Sequence, residues 1–350
     1  MTGRQTGDEE ALAAGLRYGA VDDLTLTRRR CGRGFTYLDS SGKPVRDRKT
    51  LRRVRSLAIP PAYTEVRIAA RADQHLQAVG RDEAGRLQYL YHPSWEEVRE
   101  ARKQDRLAAL CAALPRLRRH LARALRKPGL GRRKALAAAV TLIDRTHIRV
   151  GSGDYVHSGR SRGAATLLKQ NVRCDGDYVR LSFRGKRQQP VQCSIYAPAL
   201  ARALTELREI PGRRIFQYLD ADGRRHRISA GDINAYLQEI SGCDISAKDF
   251  RTLAATAAAG QRLCIADPAA RARQRKRQVA EVMREVSELL GNTPTVARKS
   301  YVHRVLIEAF ESGRLSVLGR AKRQCRNLSP GEALVAALFP RDETAGTVEC

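Results

Sequence analysis

Four residues of this chain, Arg149, Lys186, Arg251 and Tyr301, have side chains suited to chemistry at a phosphodiester. In-line displacement at phosphorus puts negative charge on the non-bridging oxygens. Arginine stabilises that charge well, because its guanidinium is planar, permanently charged and forks onto two oxygens. A tyrosine phenol can attack and then hold a covalent link. The departing alkoxide needs a proton, which a lysine on a loop can deliver. Arg149 lies in Thr146-His147-Ile148-Arg149-Val150-Gly151, Lys186 in Phe183-Arg184-Gly185-Lys186, Arg251 in Lys248-Asp249-Phe250-Arg251-Thr252, and Tyr301 ends Arg298-Lys299-Ser300-Tyr301. Each has a plainer explanation when taken alone. With 65 Lys and Arg in 350 residues, any one arginine can be a surface charge. The tyrosine can be helix packing and the lysine an ordinary turn residue.

The elements that must position these residues change character along the chain. Residues 1–25 are small and acidic and read as a loose arm. Residues 26–95 read as a β-rich domain. Phe35 and Tyr37 alternate, Val66-Arg67-Ile68 is a strand candidate, and His75–Gly80 and Arg86–Tyr91 flank a glycine-containing hairpin loop. Pro60-Pro61 makes a rigid corner. After Trp95 the period becomes helical. Leu107, Leu110, Leu114, Leu117, Leu121 and Leu125 recur at spacings of three and four, with Pro115 predicting a kink or a break. Lys134–His147 forms another helix, with Arg149 just beyond it. Asn171–Cys174, Tyr178–Phe183 and Pro190–Ile195 predict strands, with Asp175-Gly176 at one turn and Lys186 at the next. From Pro198 to Gly313 the pattern is mostly helical. Asp267-Pro268 is the expected start of one helix, Gly291 its stop, and Thr295 the cap of a last helix through Phe310. Residues 96–320 therefore read as a mostly helical domain and residues 321–350 as a tail.

Composition narrows the partner. The net charge is +28 and the pI about 10.6, which folding does not require, so a polyanion is expected and nucleic acid is the commonest. An anionic membrane is the weaker reading, since no run of 18 apolar residues exists. The eight cysteines never form a CxxC pair and the seven histidines show no metal-ligand spacing with them. A reducing compartment follows, cytoplasmic and nucleoid-associated, and no export signal leads the chain.

The order and context of the motifs go further. Ile59-Pro60-Pro61-Ala62-Tyr63 with Val66, Gly80-Arg81-Asp82 leading to Gln88-Tyr89-Leu90-Tyr91-His92, Ile148-Arg149-Val150-Gly151, Lys248-Asp249-Phe250-Arg251-Thr252, and Gly291-Asn292-Thr293-Pro294 before Tyr301 occur in turn. From about Arg28 to Leu315 the chain resembles the type IB DNA topoisomerases, in their poxvirus-like and bacterial branch. The resemblance implies an α+β fold: a small β-rich N-terminal domain and a mostly α-helical catalytic domain with a short antiparallel sheet, forming a C-shaped clamp around duplex DNA. It implies Tyr301 as the nucleophile that takes the 3′-phosphate and frees a 5′-hydroxyl. Arg149 and Arg251 would clamp the non-bridging oxygens, and Lys186 would be the general acid. Gln88, Tyr89 and Tyr91 would contact DNA from the N-terminal domain, and Tyr155 near the cleaved phosphate. Supercoils would be relaxed by a monomer with no metal, no nucleotide cofactor and no membrane.

One position departs from the poxvirus-like pattern, which has histidine where this chain has Asn292. Asparagine can donate a hydrogen bond to a phosphate oxygen but carries no charge, so oxygen binding is retained and proton transfer there is excluded. A tyrosine recombinase would share the constellation. Recombinases, however, carry histidine where Lys248 stands, and a helical rather than β-rich N-terminal part. A non-catalytic DNA-binding protein would not need all four reactive residues.

Overall fold

The computed structural model describes residues 3–151, 161–320 and 327–340. The chain divides into two compact units, Met1–Arg102 and Lys103–Cys350.

The first unit contains α1 (Gly3–Ala13), β1 (Leu26–Cys31), β2 (Gly34–Leu38), α2 (Arg48–Ser56), β3 (Thr64–Ile68), β4 (Leu76–Arg81) and β5 (Leu87–Tyr91). The strands form one antiparallel sheet in the order β2-β1-β3-β4-β5. The expected hairpin is β4–β5, running from Leu76 opposite Tyr91 to Arg81 opposite Leu87. Its loop closes on Asp82, whose carboxylate accepts from the Ala84 and Arg86 amides at 3.1 and 3.0 Å. The Pro60-Pro61 corner is pinned from β1, where Arg28 donates to the carbonyls of Ile59, Pro60 and Tyr63 at 3.0, 3.0 and 2.7 Å.

Where the sequence suggests a loose arm, α1 and the segment after it are packed. Ala11, Leu16 and Trp95 are buried together, and the His75 ring lies 4.1 Å from Tyr18 and 4.8 Å from Trp95. The signal was faint because the anchors are few and far apart in sequence. Helix α2 is likewise not anticipated. Its sequence is mostly basic, and it is held by the Asp47 cap on the Thr50 amide and by one buried side chain, Val54.

The boundary between the units falls inside α3 (Pro93–Arg126), beyond the expected position at Trp95. Pro115 sits within this one helix rather than dividing it. Losing a hydrogen bond to an internal proline costs about 3 kcal/mol. The six leucines from Leu107 to Leu125 are all buried and each contributes roughly 1.5–3 kcal/mol, so continuity wins.

Beyond α3, the second unit contains α4 (Arg132–Thr146) and a three-stranded antiparallel sheet of β6 (Val172–Asp175), β7 (Tyr178–Arg184) and β8 (Pro190–Tyr196). The alternating burial of β7 puts Val179, Leu181 and Phe183 on the core. Next come α5 (Pro198–Arg208), a two-stranded hairpin of β9 (Gln217–Leu219) and β10 (Arg225–Arg227), α6 (Ala230–Ser241), α7 (Ala247–Cys264) and α8 (Ala272–Leu290). Then follow α9 (Arg304–Glu311), α10 (Arg314–Arg320) and α11 (Pro330–Leu338). Helix α7 is central and is buried on nearly every side.

Three expectations are corrected. Helix α8 starts at Ala272, because Asp267 and Pro268 lie in the preceding loop. The helix expected from Thr295 to Phe310 is two pieces, capped by Thr293 and His303. Residues 327–340 are not an appended tail, since α11 buries Val335 and Phe339 follows it into the core.

Candidate active site

Arg149 is positioned by the end of α4. The helix terminates at His147, which adopts a left-handed conformation (φ 55°) and turns the chain so that Arg149 follows outside the helix. That segment is clamped to residues 163–166, with the Ala164 and Ala165 amides donating to the Arg149 and Val150 carbonyls, both at 2.8 Å. Two glycines permit the approach. A Cβ on Gly163 would stand 2.4 Å from the Arg149 carbonyl oxygen and 2.6 Å from the Gly151 nitrogen. Gly163→Ala is therefore expected to displace Arg149 and to lower the melting temperature. An unchanged melting temperature would show that the close approach is not what holds this segment.

Arg251 comes from the second turn of α7, whose start is capped by Asp249 accepting from the Ser246 amide at 2.7 Å and hydroxyl at 2.8 Å. It is 4% exposed. Its guanidinium donates to the His147 carbonyl at the end of α4 and, at 2.9 Å, to the Leu290 carbonyl at the end of α8. Both bonds go to neutral acceptors, so the charge is not neutralised. Burial, and then the neighbouring Arg149, lower the Arg251 pKa from its ordinary value.

Asn292 is set by the end of α8. Gly291 takes a left-handed conformation (φ 57°), and the Asn292 amide donates to the Ser287 carbonyl at 2.9 Å. The side-chain oxygen of Asn292 accepts from the Arg149 guanidinium, and its buried Nδ2 has no partner among the described residues. That nitrogen is the donor end of the amide.

Tyr301 closes a wide π-type turn (Ala297–Tyr301) that follows the Thr293 cap, with the Val302 amide donating to the Ala297 carbonyl at 2.9 Å. Its carbonyl accepts from Thr256 Oγ1 at 3.1 Å, so α7 holds the tyrosine's backbone as well as carrying Arg251. The Arg251 Cζ lies 5.1 Å from the Tyr301 ring centroid. Burial alone would push the phenol up. The positive charge of Arg251, backed by Arg149 and Lys248, outweighs it and leaves the Tyr301 pKa below its ordinary value.

Lys186 is exposed at the tip of the β7–β8 hairpin, as expected. The tip is strained, with Arg187 and Gln188 both at φ 60°. A pocket of about 170 Å³ is lined by Arg149, Arg162, Lys186 and Arg251, with Glu288 as the one carboxylate in its wall among the described residues. Tyr301 and Asn292 join this group through their contacts with Arg251 and Arg149. Arg162, His147 and Thr256 were not singled out from sequence. Arg162 stands in a short Ser161-Arg162-Gly163 stretch with no period, His147 acts through its backbone carbonyl, and Thr256 acts through a hydroxyl bonded to the Tyr301 backbone.

The residues expected to contact DNA from the first unit do not share one face. Gln88 alternates with Tyr89 and Tyr91 along β5 and donates to Asp82 at 2.9 Å. Tyr89 is 47% exposed, whereas Tyr91 is half-buried beneath Arg99, whose Cζ lies 5.1 Å from its ring centroid. Tyr155 lies outside the described residues.

Residues 92–326 match the family described as eukaryotic DNA topoisomerase I, catalytic core, and residues 34–82 match the bacterial DNA topoisomerase IB N-terminal domain. A DNA topoisomerase 1B from Acanthamoeba polyphaga mimivirus is 28% identical over 294 residues, covering 82% of this chain and 88% of the viral protein. The chain belongs to the type IB DNA topoisomerases. It is thus a type I DNA topoisomerase, an isomerase whose substrate is DNA.

Proposed function

We propose that this enzyme cleaves one strand of duplex DNA by transesterification to Tyr301 and reseals it, relaxing supercoils without metal or nucleotide. The phenolic oxygen of Tyr301 gives up its proton to water and attacks phosphorus, a 3′-phosphotyrosyl bond forms, and the bond from phosphorus to the 5′-oxygen breaks. Lys186 supplies the proton that the 5′-oxygen takes up. Arg149 and Arg251 hold the non-bridging oxygens, and Asn292 Nδ2 donates to one of them. Resealing is the reverse, with the 5′-hydroxyl as nucleophile and Tyr301 as leaving group.

The observation that carries this reading is the buried Arg251 guanidinium set over the Tyr301 ring, with Arg149 beside it. Among the described residues like charges are brought together with one carboxylate nearby, which suits an anionic centre in the pocket they line. The positive charge a metal ion would otherwise supply is present as guanidinium and ammonium groups. On the first unit, the exposed Tyr89 is the residue of β5 best suited to reach DNA.

Incubating the protein with supercoiled plasmid and excess chelator, without nucleotide, tests the whole reading. Relaxed topoisomers are expected, and an absolute requirement for a divalent metal would overturn it. Asn292→Ala is expected to slow single-turnover cleavage by on the order of 10², the scale for losing one transition-state donor, with Asn292→His milder because imidazole also donates. Equal rates for wild type and Asn292→Ala would show that this amide does not reach the phosphate.

A further inference from the structure

Helix α11 begins after residue 326, where the match to the catalytic-core family ends, yet it packs on α7, which carries Arg251, and is linked through Arg118 to the end of α4 and through Phe339 to the segment after Tyr301. Its first turn presents Glu332, which caps the helix by accepting from the Ser329 amide at 2.7 Å. The same carboxylate receives Nη1 and Nη2 of Arg118 at 3.0 and 2.7 Å. Arg118, on α3, also donates to Asp144 at 2.9 and 2.8 Å and to the Asn327 carbonyl at 2.8 Å. Asp144 stands in the last turn of α4, three residues before the His147 carbonyl that accepts from Arg251.

The remainder of α11 lies on α7 at glycine-sized separation. A Cβ on Gly331 would stand 2.7 Å from the Ala257 carbonyl oxygen, and one on Gly260 2.9 Å from Leu334. Contacts this close fix two helices against sliding. Just past the helix, the Phe339 ring meets the His303 ring edge-on at 4.7 Å. His303 is two residues beyond Tyr301, and its amide donates to the same Thr256 hydroxyl that holds the Tyr301 carbonyl.

We propose that α11 is a positioning element for the transesterification site, with Glu332 setting the end of α4 through Arg118 and Asp144, and Phe339 setting the segment after Tyr301. The inference rests on the assignment of Arg149, Arg251 and Tyr301 as reacting groups. A helix that only adds stability would be felt in the melting temperature. A positioning helix is also felt in the chemical step once DNA is bound, because misplacing reacting groups by about 1 Å can cost up to about 10²-fold.

The experiment uses the full chain and measures three quantities: melting temperature, DNA affinity, and single-turnover formation of the covalent adduct at saturating DNA. Glu332→Ala is expected to slow adduct formation by between about tenfold and 10²-fold with DNA affinity almost unchanged. Glu332→Gln, which keeps an oxygen acceptor for Arg118, should recover part of the rate. Phe339→Leu keeps apolar volume, so it reports on the His303 contact even if Glu332→Ala fails to fold, and it should also be slow. Ile233→Ala, buried in α6, serves as the control that lowers the melting temperature while cleaving at the wild-type rate. Wild-type adduct formation at saturating DNA by Glu332→Gln and Phe339→Leu, or slowing by Ile233→Ala equal to theirs for the same loss of melting temperature, would overturn the proposal. Tyr301→Phe in the same assay separates the two ideas: an adduct there defeats the site assignment, whereas its absence beside fully active α11 variants defeats only the role of α11.

Discussion

Tyr301→Phe is expected to form no covalent adduct with DNA and to relax supercoils more slowly by on the order of 10⁴–10⁶, the scale for losing a catalytic nucleophile. Apart from the nucleophile, the variant loses only the side-chain hydrogen bond between the phenolic oxygen and Arg251. The Arg251 guanidinium, 5.1 Å from the ring centroid, finds the same π-face on phenylalanine. The bond from Thr256 is to the backbone carbonyl and survives. DNA binding and melting temperature should therefore stay close to wild type. Denaturing electrophoresis of the protein mixed with labelled duplex reads the outcome directly. Trapped DNA with the phenylalanine variant would place the nucleophile elsewhere.

Lys186 carries the next largest expected effect, and its role can be isolated by changing the leaving group. An alkoxide departs poorly, since even water ionises only near pKa 15.7, whereas a thiol ionises near 8.5 and its thiolate departs unassisted. On ordinary DNA, Lys186→Ala should slow cleavage by about 10²–10⁴, the span of general acid catalysis. On DNA with sulfur in place of the bridging 5′-oxygen, the variant and wild type should cleave at nearly the same rate. Arg149→Ala should remain slow on both substrates, because the contact it loses is with non-bridging oxygens. Failure of sulfur to rescue Lys186→Ala would make the lysine a phosphate or groove contact, which the exposed hairpin tip would also allow.

The parts of this structure legible in sequence are those written by local rules. Asp175-Gly176 between alternating runs gave the β6–β7 turn, and the three-and-four leucine spacing gave α3. Strands β2 and β3 of the first unit and the hairpin bearing Lys186 follow from the same alternation, whereas β1 is not anticipated and β4 is buried without alternation. Less legible were features made by few or distant contacts. The packing of residues 3–25 rests on Ala11, Leu16 and an aromatic group around His75. The place of α11 depends on an arginine more than 200 positions earlier. Hairpin β9–β10 has three residues per strand, too short for a period to show. Within the site, residue types and order named Arg149, Lys186, Arg251 and Tyr301 but not what arranges them. His147 and Leu290 contribute backbone carbonyls and Gly163 an absent side chain. Alternation along β5 also separates Gln88 from Tyr89, which a run of adjacent letters conceals.

The wide turn before Tyr301 bears on which gene variants this enzyme can tolerate. Its carbonyl-to-amide bond spans five residues, from Ala297 to Val302, one more than an α-helical bond. An in-frame codon deletion there would let the chain close as an ordinary helix. Tyr301 would then turn by about 100° and shift about 1.5 Å along the axis, away from Arg251. Arg298, Lys299 and Ser300 are exposed, so missense changes at these positions leave that geometry alone. The segment's reading length, rather than its spelling, is what natural selection must guard.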